Sequence, residues 1–194
     1  MAGWLGNRHA GLTSGSVRRN MKVKIIPRMS RLAILFLALL LQIAPPLSAG
    51  SPLFQNLESS AFETIDNHLD PGKWLVVMIW ASDCEVCKRE VASYQQFHEQ
   101  HEQRDARVLG ITLDGLQGTE AARGFTAEHG VGFNNLIGEP EAVTAYFQVL
   151  TGSPWVGTPT FLIYGPDGSL LAKQVGAVPV DLIEQFIAAN SAAQ

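Results

Sequence analysis

This sequence predicts an α/β fold, a central mixed β-sheet flanked by helices on both faces, and three observations point to it. From Lys73 onward, short runs rich in β-branched and aromatic residues alternate with helix-like stretches. Residues Trp74 to Trp80 are apolar without interruption, as a strand buried on both faces requires. Gly165-Pro166-Asp167-Gly168 separates two strand-like runs and reads as a turn with a return strand behind it.

Taken in order, the chain from Ser51 opens on an irregular polar stretch and then enters the apolar run Lys73 to Trp80. Residues 84 to about 103 read as a helix, and Ala106 to Thr112 as a second strand. Gly118 to His129 is helix-like, and Asn134 to Ile137 is a short strand. Pro140 stands in the first turn of a helix expected over Glu139 to Val149, where its missing N–H costs nothing. Thr160 to Tyr164 and Ser169 to Val175 form the strands on either side of the turn, and a helix over Asp181 to Ala189 closes the chain.

Residues 1–49 differ from the rest of the 194-residue chain, holding seven of its fourteen Lys and Arg and none of its eighteen Asp and Glu. Basic residues at Lys22, Lys24, Arg28 and Arg31 precede the apolar run Leu32 to Leu41, and Ala44-Pro45-Pro46-Leu47-Ser48-Ala49 follows it. That layout is a secretory signal: a basic start, a short apolar centre and small residues for cleavage. The run is shorter than the roughly 20 residues that span a bilayer, so a cleaved signal is expected ahead of a membrane anchor at residues 32–44. No cysteine follows the run, so no lipidated N-terminal cysteine is expected. Met21-Lys22-Val23-Lys24 would make an ordinary start, and residues 1–20 are expected to be an over-long gene assignment.

Cleavage after Ala49 would leave residues 50–194 as one domain with seven basic and eighteen acidic side chains, a formal net charge of −11. So acidic a domain, with no basic stripe, argues against nucleic acid and anionic membranes as ligands.

The only two cysteines are Cys84 and Cys87, in Cys84-Glu85-Val86-Cys87 at the start of the first long helix. Two thiols at this spacing can close into a small disulfide ring and reopen. A vicinal pair closes too short a loop to stabilise a fold much, which favours chemistry over stapling. Only the thiolate attacks a disulfide, and the partial positive charge of a helix N-terminus favours the thiolate there. Cys84 is therefore expected to be the exposed, attacking sulfur, and Cys87, one turn deeper, to resolve the mixed disulfide.

A zinc site would need His98 and His101 within about 2.3 Å of the same ion as the sulfurs. On one continuous helix, Cys84 and His98 lie roughly 21 Å apart along the axis, which excludes it. The two histidines, inside the polar run 98–103, are expected on a solvated helix end.

Trp80-Ala81-Ser82-Asp83-Cys84-Glu85-Val86-Cys87-Lys88-Arg89-Glu90, followed by Val156-Gly157-Thr158-Pro159-Thr160-Phe161-Leu162-Ile163, resembles the thioredoxin superfamily over residues 52–190. Within it, the exported TlpA and ResA-like thiol-disulfide oxidoreductases are most similar. The resemblance implies a thioredoxin-like fold, a cis Pro159 beside the cysteines, backbone groups of Thr158 offered to an extended substrate, and Trp80 packed at the site. Trp155 would line the same groove or pack in the core. Glu90, three residues after Cys87 and on its helix face, matches the glutamate implicated in tuning the cysteines and moving protons.

Three positions depart from the pattern. Asp83 replaces a common tryptophan, Val86 replaces a common proline, and Met78 stands where thioredoxin uses a buried aspartate as proton acceptor. Asp83 and Glu85 both oppose a negative charge on Cys84, so its pKa is expected not to be deeply depressed, and the pair to act as a reductant.

The expected function is thus protein-disulfide reduction outside the cytoplasm, in the periplasm, without a bound cofactor. The resemblance implies exported disulfide-containing clients, apocytochrome c among the candidates, and recharging by a membrane thiol donor of the DsbD or CcdA type. Two alternatives stand beside it. A thiol peroxidase of the same fold would want threonine at Ala81, and a copper carrier would draw on the two sulfurs with His129.

Overall fold

The computed structural model describes residues 52–191; the expectations for residues 1–49 lie outside the described residues. Among the described residues, one sheet of seven strands runs in the order β2-β1-β5-β4-β3-β6-β7. The strands are β1 (Phe54–Asn56), β2 (Phe62–Glu63), β3 (Trp74–Trp80), β4 (Ala106–Thr112), β5 (Asn135–Ile137), β6 (Thr160–Tyr164) and β7 (Leu170–Val175). The helices between them are α1 (Glu85–His101), α2 (Thr119–Glu128), α3 (Pro140–Thr151) and α4 (Val180–Ser191).

The sheet is mixed, as expected. β3, β4 and β5 pair in parallel, joined by crossovers through α1 and α2, whereas β6 lies antiparallel to β3 and β7 antiparallel to β6. Central β3 is buried along its whole length. Its alternating side chains divide the core: Trp74, Val76, Met78 and Trp80 pack with Val91, Tyr94 and Phe97 of α1, Phe125 of α2 and Ile183 of α4. Leu75, Val77 and Ile79 pack on the other face with Val143 and Phe147 of α3.

Two expectations change. The stretch after Ser51 is not irregular: β1 and β2 form a small hairpin on the edge of the sheet, with β1 antiparallel to β5. β1 and β2 hold a single apolar residue each, Phe54 and Phe62, so no apolar run marks them as Leu136-Ile137 marks the equally short β5.

His98 does not sit on a solvated end. It is buried, its Nδ1 accepts the Val108 N–H at 3.1 Å and its Nε2 lies 2.9 Å from Glu102. His101 stacks on Phe97 at 4.3 Å. The reason is periodicity: His98 follows Val91 and Tyr94 by seven and four residues, so the buried face of α1 continues through it.

Candidate active site

β3 delivers the chain to the site. After Trp80 the backbone turns, with the Cys84 N–H donating to Ala81 O at 3.1 Å, and α1 begins with the Lys88 N–H donating to Cys84 O at 3.1 Å. Cys84 is the N-cap of α1, and its Sγ accepts the Cys87 N–H at 3.1 Å. A cysteine here fills the place usually taken by Ser, Thr, Asp or Asn.

The two sulfurs form a disulfide across Cα atoms 5.2 Å apart. Their environments differ. Cys87 is 0 % exposed, within the apolar cluster that holds Met78, Trp80 and Val91, whereas Cys84 is half-buried at its edge. This is the exposed-and-shielded pair that the spacing predicts.

The flanking charges are not equivalent. The Glu85 carboxylate bonds the Lys88 ammonium at 2.6 Å on the exposed face of α1. The Lys88 contact holds Glu85 below the usual carboxylate range and raises Lys88 above its ordinary value. Asp83 is exposed and lies within the electrostatic reach of Lys88.

Thr158–Pro159 is a cis peptide. Thr160 pairs with Ile79, so Pro159 falls beside Trp80, one strand spacing of about 4.8 Å away, at the end of β3 from which the cysteine loop leaves. Pro159 is buried and its carbonyl accepts the Gly176 N–H at 2.8 Å. Thr158 is half-buried before it, and Val156 is exposed at 73 %. The sheet therefore brings the cysteine loop, Thr158 and Pro159 to the same end of adjacent strands β3 and β6.

Trp80 packs at the site but from within the core, and Trp155 takes the core packing that is one of its two expected places. Trp80 is 2 % exposed, stacks on Phe125 at 4.3 Å and donates its indole N–H to Asn135 at 3.0 Å. It supports the site from beneath and offers no surface to a substrate, because alternation along β3 points it into the α1 face of the core. Trp155 meets Phe147 edge-on at 5.3 Å, packed with the α3 side of the core.

Glu90 is half-buried and lines a groove with Phe97, Pro179, Val180 and Asp181. Its charge adds to the effect of burial in raising the pKa of Tyr94, whose hydroxyl donates to Val178 O at 2.8 Å. Beneath Cys87, the place of thioredoxin's aspartate is filled by buried Met78. Among the described residues, no cluster of three or more His, Cys, Asp or Glu side chains is arranged to hold a metal ion.

Asp114 joins the site without a sequence motif of its own. In the loop after β4, it accepts the Ser82 N–H at 3.1 Å on both carboxylate oxygens and the Ser82 hydroxyl at 3.0 Å. The signal available in the sequence is only that parallel β3 and β4 end side by side, which places the loops after them in contact.

A disulfide-bonded pair at a helix N-cap, one strand over from a cis-proline, on a mixed sheet covered on both faces, defines a protein of thioredoxin fold. Residues 51–173 match the AhpC/TSA family, and the chain belongs to that family. Solved structures agree on the fold. A secreted Mycobacterium tuberculosis disulfide oxidoreductase homologous to E. coli DsbE superposes with a TM-score of 0.55 at 23 % identity, over 72 % of this chain and 96 % of that one. A thiol-disulfide isomerase from Corynebacterium glutamicum gives 0.58 at 19 %, over 76 % and 96 %. Among curated proteins, alkyl hydroperoxide reductase C of Mycobacterium tuberculosis is 41 % identical over 54 residues, which is 27 % of this chain and 28 % of that relative's length.

Proposed function

We propose that this chain is a TlpA/ResA-like thiol-disulfide oxidoreductase that reduces disulfides of other exported proteins. The observation that carries the reading is the unequal exposure of the two sulfurs: Cys87 is sealed in the core and Cys84 stands at the helix tip, at the end of the sheet where Pro159 lies.

The cycle follows from that asymmetry. The Cys84 thiolate attacks one sulfur of the client disulfide; the client S–S bond breaks, and the other client sulfur leaves as a thiolate and takes a proton. Cys87 then loses its proton and attacks the Cys84 sulfur. The Cys84–Cys87 bond forms, the mixed disulfide breaks, and the second client thiolate departs. Two electrons have passed from the dithiol to the client.

Exchange in the opposite direction with a dithiol donor restores the reduced pair, and a membrane protein of the DsbD or CcdA type fits that need in an oxidising compartment. Thr158 and Pro159 would align an extended client segment beside Cys84. Glu90 would serve proton movement through the groove on its helix face, since Met78 offers no carboxylate.

Replacement of Cys87 by serine stops the cycle at the mixed disulfide. The C87S protein, expressed with its leader, is expected to accumulate disulfide-linked adducts through Cys84 that mass spectrometry can identify. Adducts that persist when Cys84 is also replaced, or a wild-type protein unable to reduce insulin, would overturn the proposal.

The curated relatives favour a second reading, reduction of peroxides, because the local match is to proteins named alkyl hydroperoxide reductase C. Against it stands Ala81 three residues before Cys84, where a peroxidase would want a hydroxyl. Peroxide consumption by the dithiol at a rate above that of free thiols would decide for it.

A further inference from the structure

The carboxylate of Asp114 joins the loops at the ends of β3 and β4. It accepts the N–H and the hydroxyl of Ser82, two residues before Cys84, and also the hydroxyl of Thr112, while Thr112 Oγ1 accepts the Asp114 N–H at 3.2 Å. Thr112 itself is buried at the end of β4, so the arrangement is anchored in the sheet.

The loop that carries Asp114 is fixed in turn. Gly115 donates its N–H to Gly138 O at 3.1 Å, Leu116 donates to the Glu139 carboxylate at 3.1 Å, and a Cβ on Gly118 would fall 2.8 Å from that of Asp114. Asp114 is thus held from its own side and grips the cysteine loop on the other.

We propose that Asp114 is the positioning residue that keeps Cys84 at the helix tip when the disulfide is open. In the oxidised protein the Cys84–Cys87 ring already restrains residues 84–87. On reduction that covalent restraint disappears. Among the restraints that remain, the backbone bonds (Cys84 N–H to Ala81 O, Lys88 N–H to Cys84 O and Leu113 N–H to Trp80 O) and the Cys84 Sγ contact with the Cys87 N–H are joined by one side-chain grip on the loop, that of Asp114 on Ser82. Asp114 therefore matters most in the form that attacks. Small displacements of an attacking atom cost rate steeply, which gives the grip a kinetic consequence.

This inference rests on the reductase reading but is tested at the sulfur alone, with a small aromatic disulfide as the probe and no protein client. The rate of attack by the reduced protein is measured across pH to its plateau, where all Cys84 is thiolate. Asp114→Asn is expected to lower the plateau rate about tenfold. Ser82→Ala, which leaves the amide contact in place, is expected to lower it less, and Ser82→Thr to restore it.

Hydrogen exchange in residues 81–86 is expected to accelerate in the dithiol form of Asp114→Asn and to change little in its disulfide form. An unchanged plateau rate, or exchange that accelerates equally in both redox forms, would reduce Asp114 to a structural tie and overturn the proposal. A protein that attacks the probe normally yet never reduces a protein disulfide would instead overturn the reductase reading.

Discussion

Trp80 donates its indole N–H to Asn135 Oδ1 at 3.0 Å across the spot where Gly110 lacks a side chain. A Cβ on Gly110 would lie 1.8 Å from that oxygen and 2.9 Å from the indole nitrogen. The bond joins the end of β3 to β5 over the intervening β4, and so fixes the floor beneath the cysteine loop.

Gly110→Ala must therefore break this bond or shift a strand. The expected loss is about 1 to 3 kcal/mol, typical of overpacking in a close-packed core. Denaturant unfolding of the oxidised protein checks it; an unchanged midpoint would mean that Asn135 swings away at no cost.

Gly124 is the opposite case. It lies inside α2, exposed, where an added Cβ would meet no atom within 4 Å and the backbone is not left-handed. Gly124→Ala should stabilise the protein by about 1 kcal/mol through helix propensity alone. A fall in the thermal midpoint would contradict this.

The contrast between these two glycines marks what is legible in sequence. The apolar runs, the turn at 165–168 and the cysteine spacing are local patterns, so β3 to β7 and the four helices can be read to within a few residues. The cis geometry and the placement of Pro159 beside Trp80 agree with the family pattern. The Trp80–Asn135 bond and the Asp114–Ser82 grip are made by residues far apart in the chain, and no local period announces them. The burial of His98 does follow the helical period of Val91 and Tyr94, which the polar character of residues 98–103 masks. That Trp80 packs inward beneath the cysteine loop is likewise not local information, because an aromatic at a strand end looks the same in sequence whether it faces out or in.

Asp83 and Glu85 flank Cys84; Glu85 forms a direct ion pair with Lys88 at 2.6 Å, whereas Asp83 meets the same ammonium only at longer range. Removing the Asp83 charge should therefore favour the Cys84 thiolate more than removing that of Glu85. Asp83→Asn is expected to lower the pH midpoint of Cys84 alkylation and to make the disulfide easier to reduce, with Glu85→Gln giving the smaller change in both. Alkylation rates against pH and equilibration with glutathione measure the two effects. Equal shifts would show that the Lys88 pair does not shield the sulfur.

Tyr94 lies on the buried face of α1, stacks on Phe161 at 4.6 Å and donates its hydroxyl to Val178 O. Tyr94→Phe keeps the ring and leaves that buried carbonyl without its donor. The cost should be about 1 to 3 kcal/mol, the penalty of an unsatisfied buried polar group. Denaturant unfolding tests it, and a loss below about 0.5 kcal/mol would indicate that water replaces the hydroxyl.

Two buried histidines, His68 and His98, are expected to contribute to the response to acid. His68 is lowered below its ordinary pKa of about 6.5 chiefly by burial, with Arg107 opposing the charge and Glu63 and Asp70 favouring it. His98 is lowered for the same first reason, against the pull of Glu102. In both, burial outweighs the neighbouring carboxylates, and for His98 the bonding fits the neutral ring: Nδ1 accepts the Val108 N–H, so the proton sits on Nε2 toward Glu102. A depressed folded pKa means that the unfolded chain binds the proton first. Their contribution to stability is therefore complete above about pH 6.5 and is lost as pH falls from there through the folded pKa values. Unfolding midpoints should decline between about pH 7 and pH 5. His68→Gln with His98→Asn, which place amide groups near the bonded ring nitrogens without a titrating proton, should flatten that decline. A double variant that loses stability as steeply as the parent would show that carboxylates, and not these two imidazoles, govern acid sensitivity.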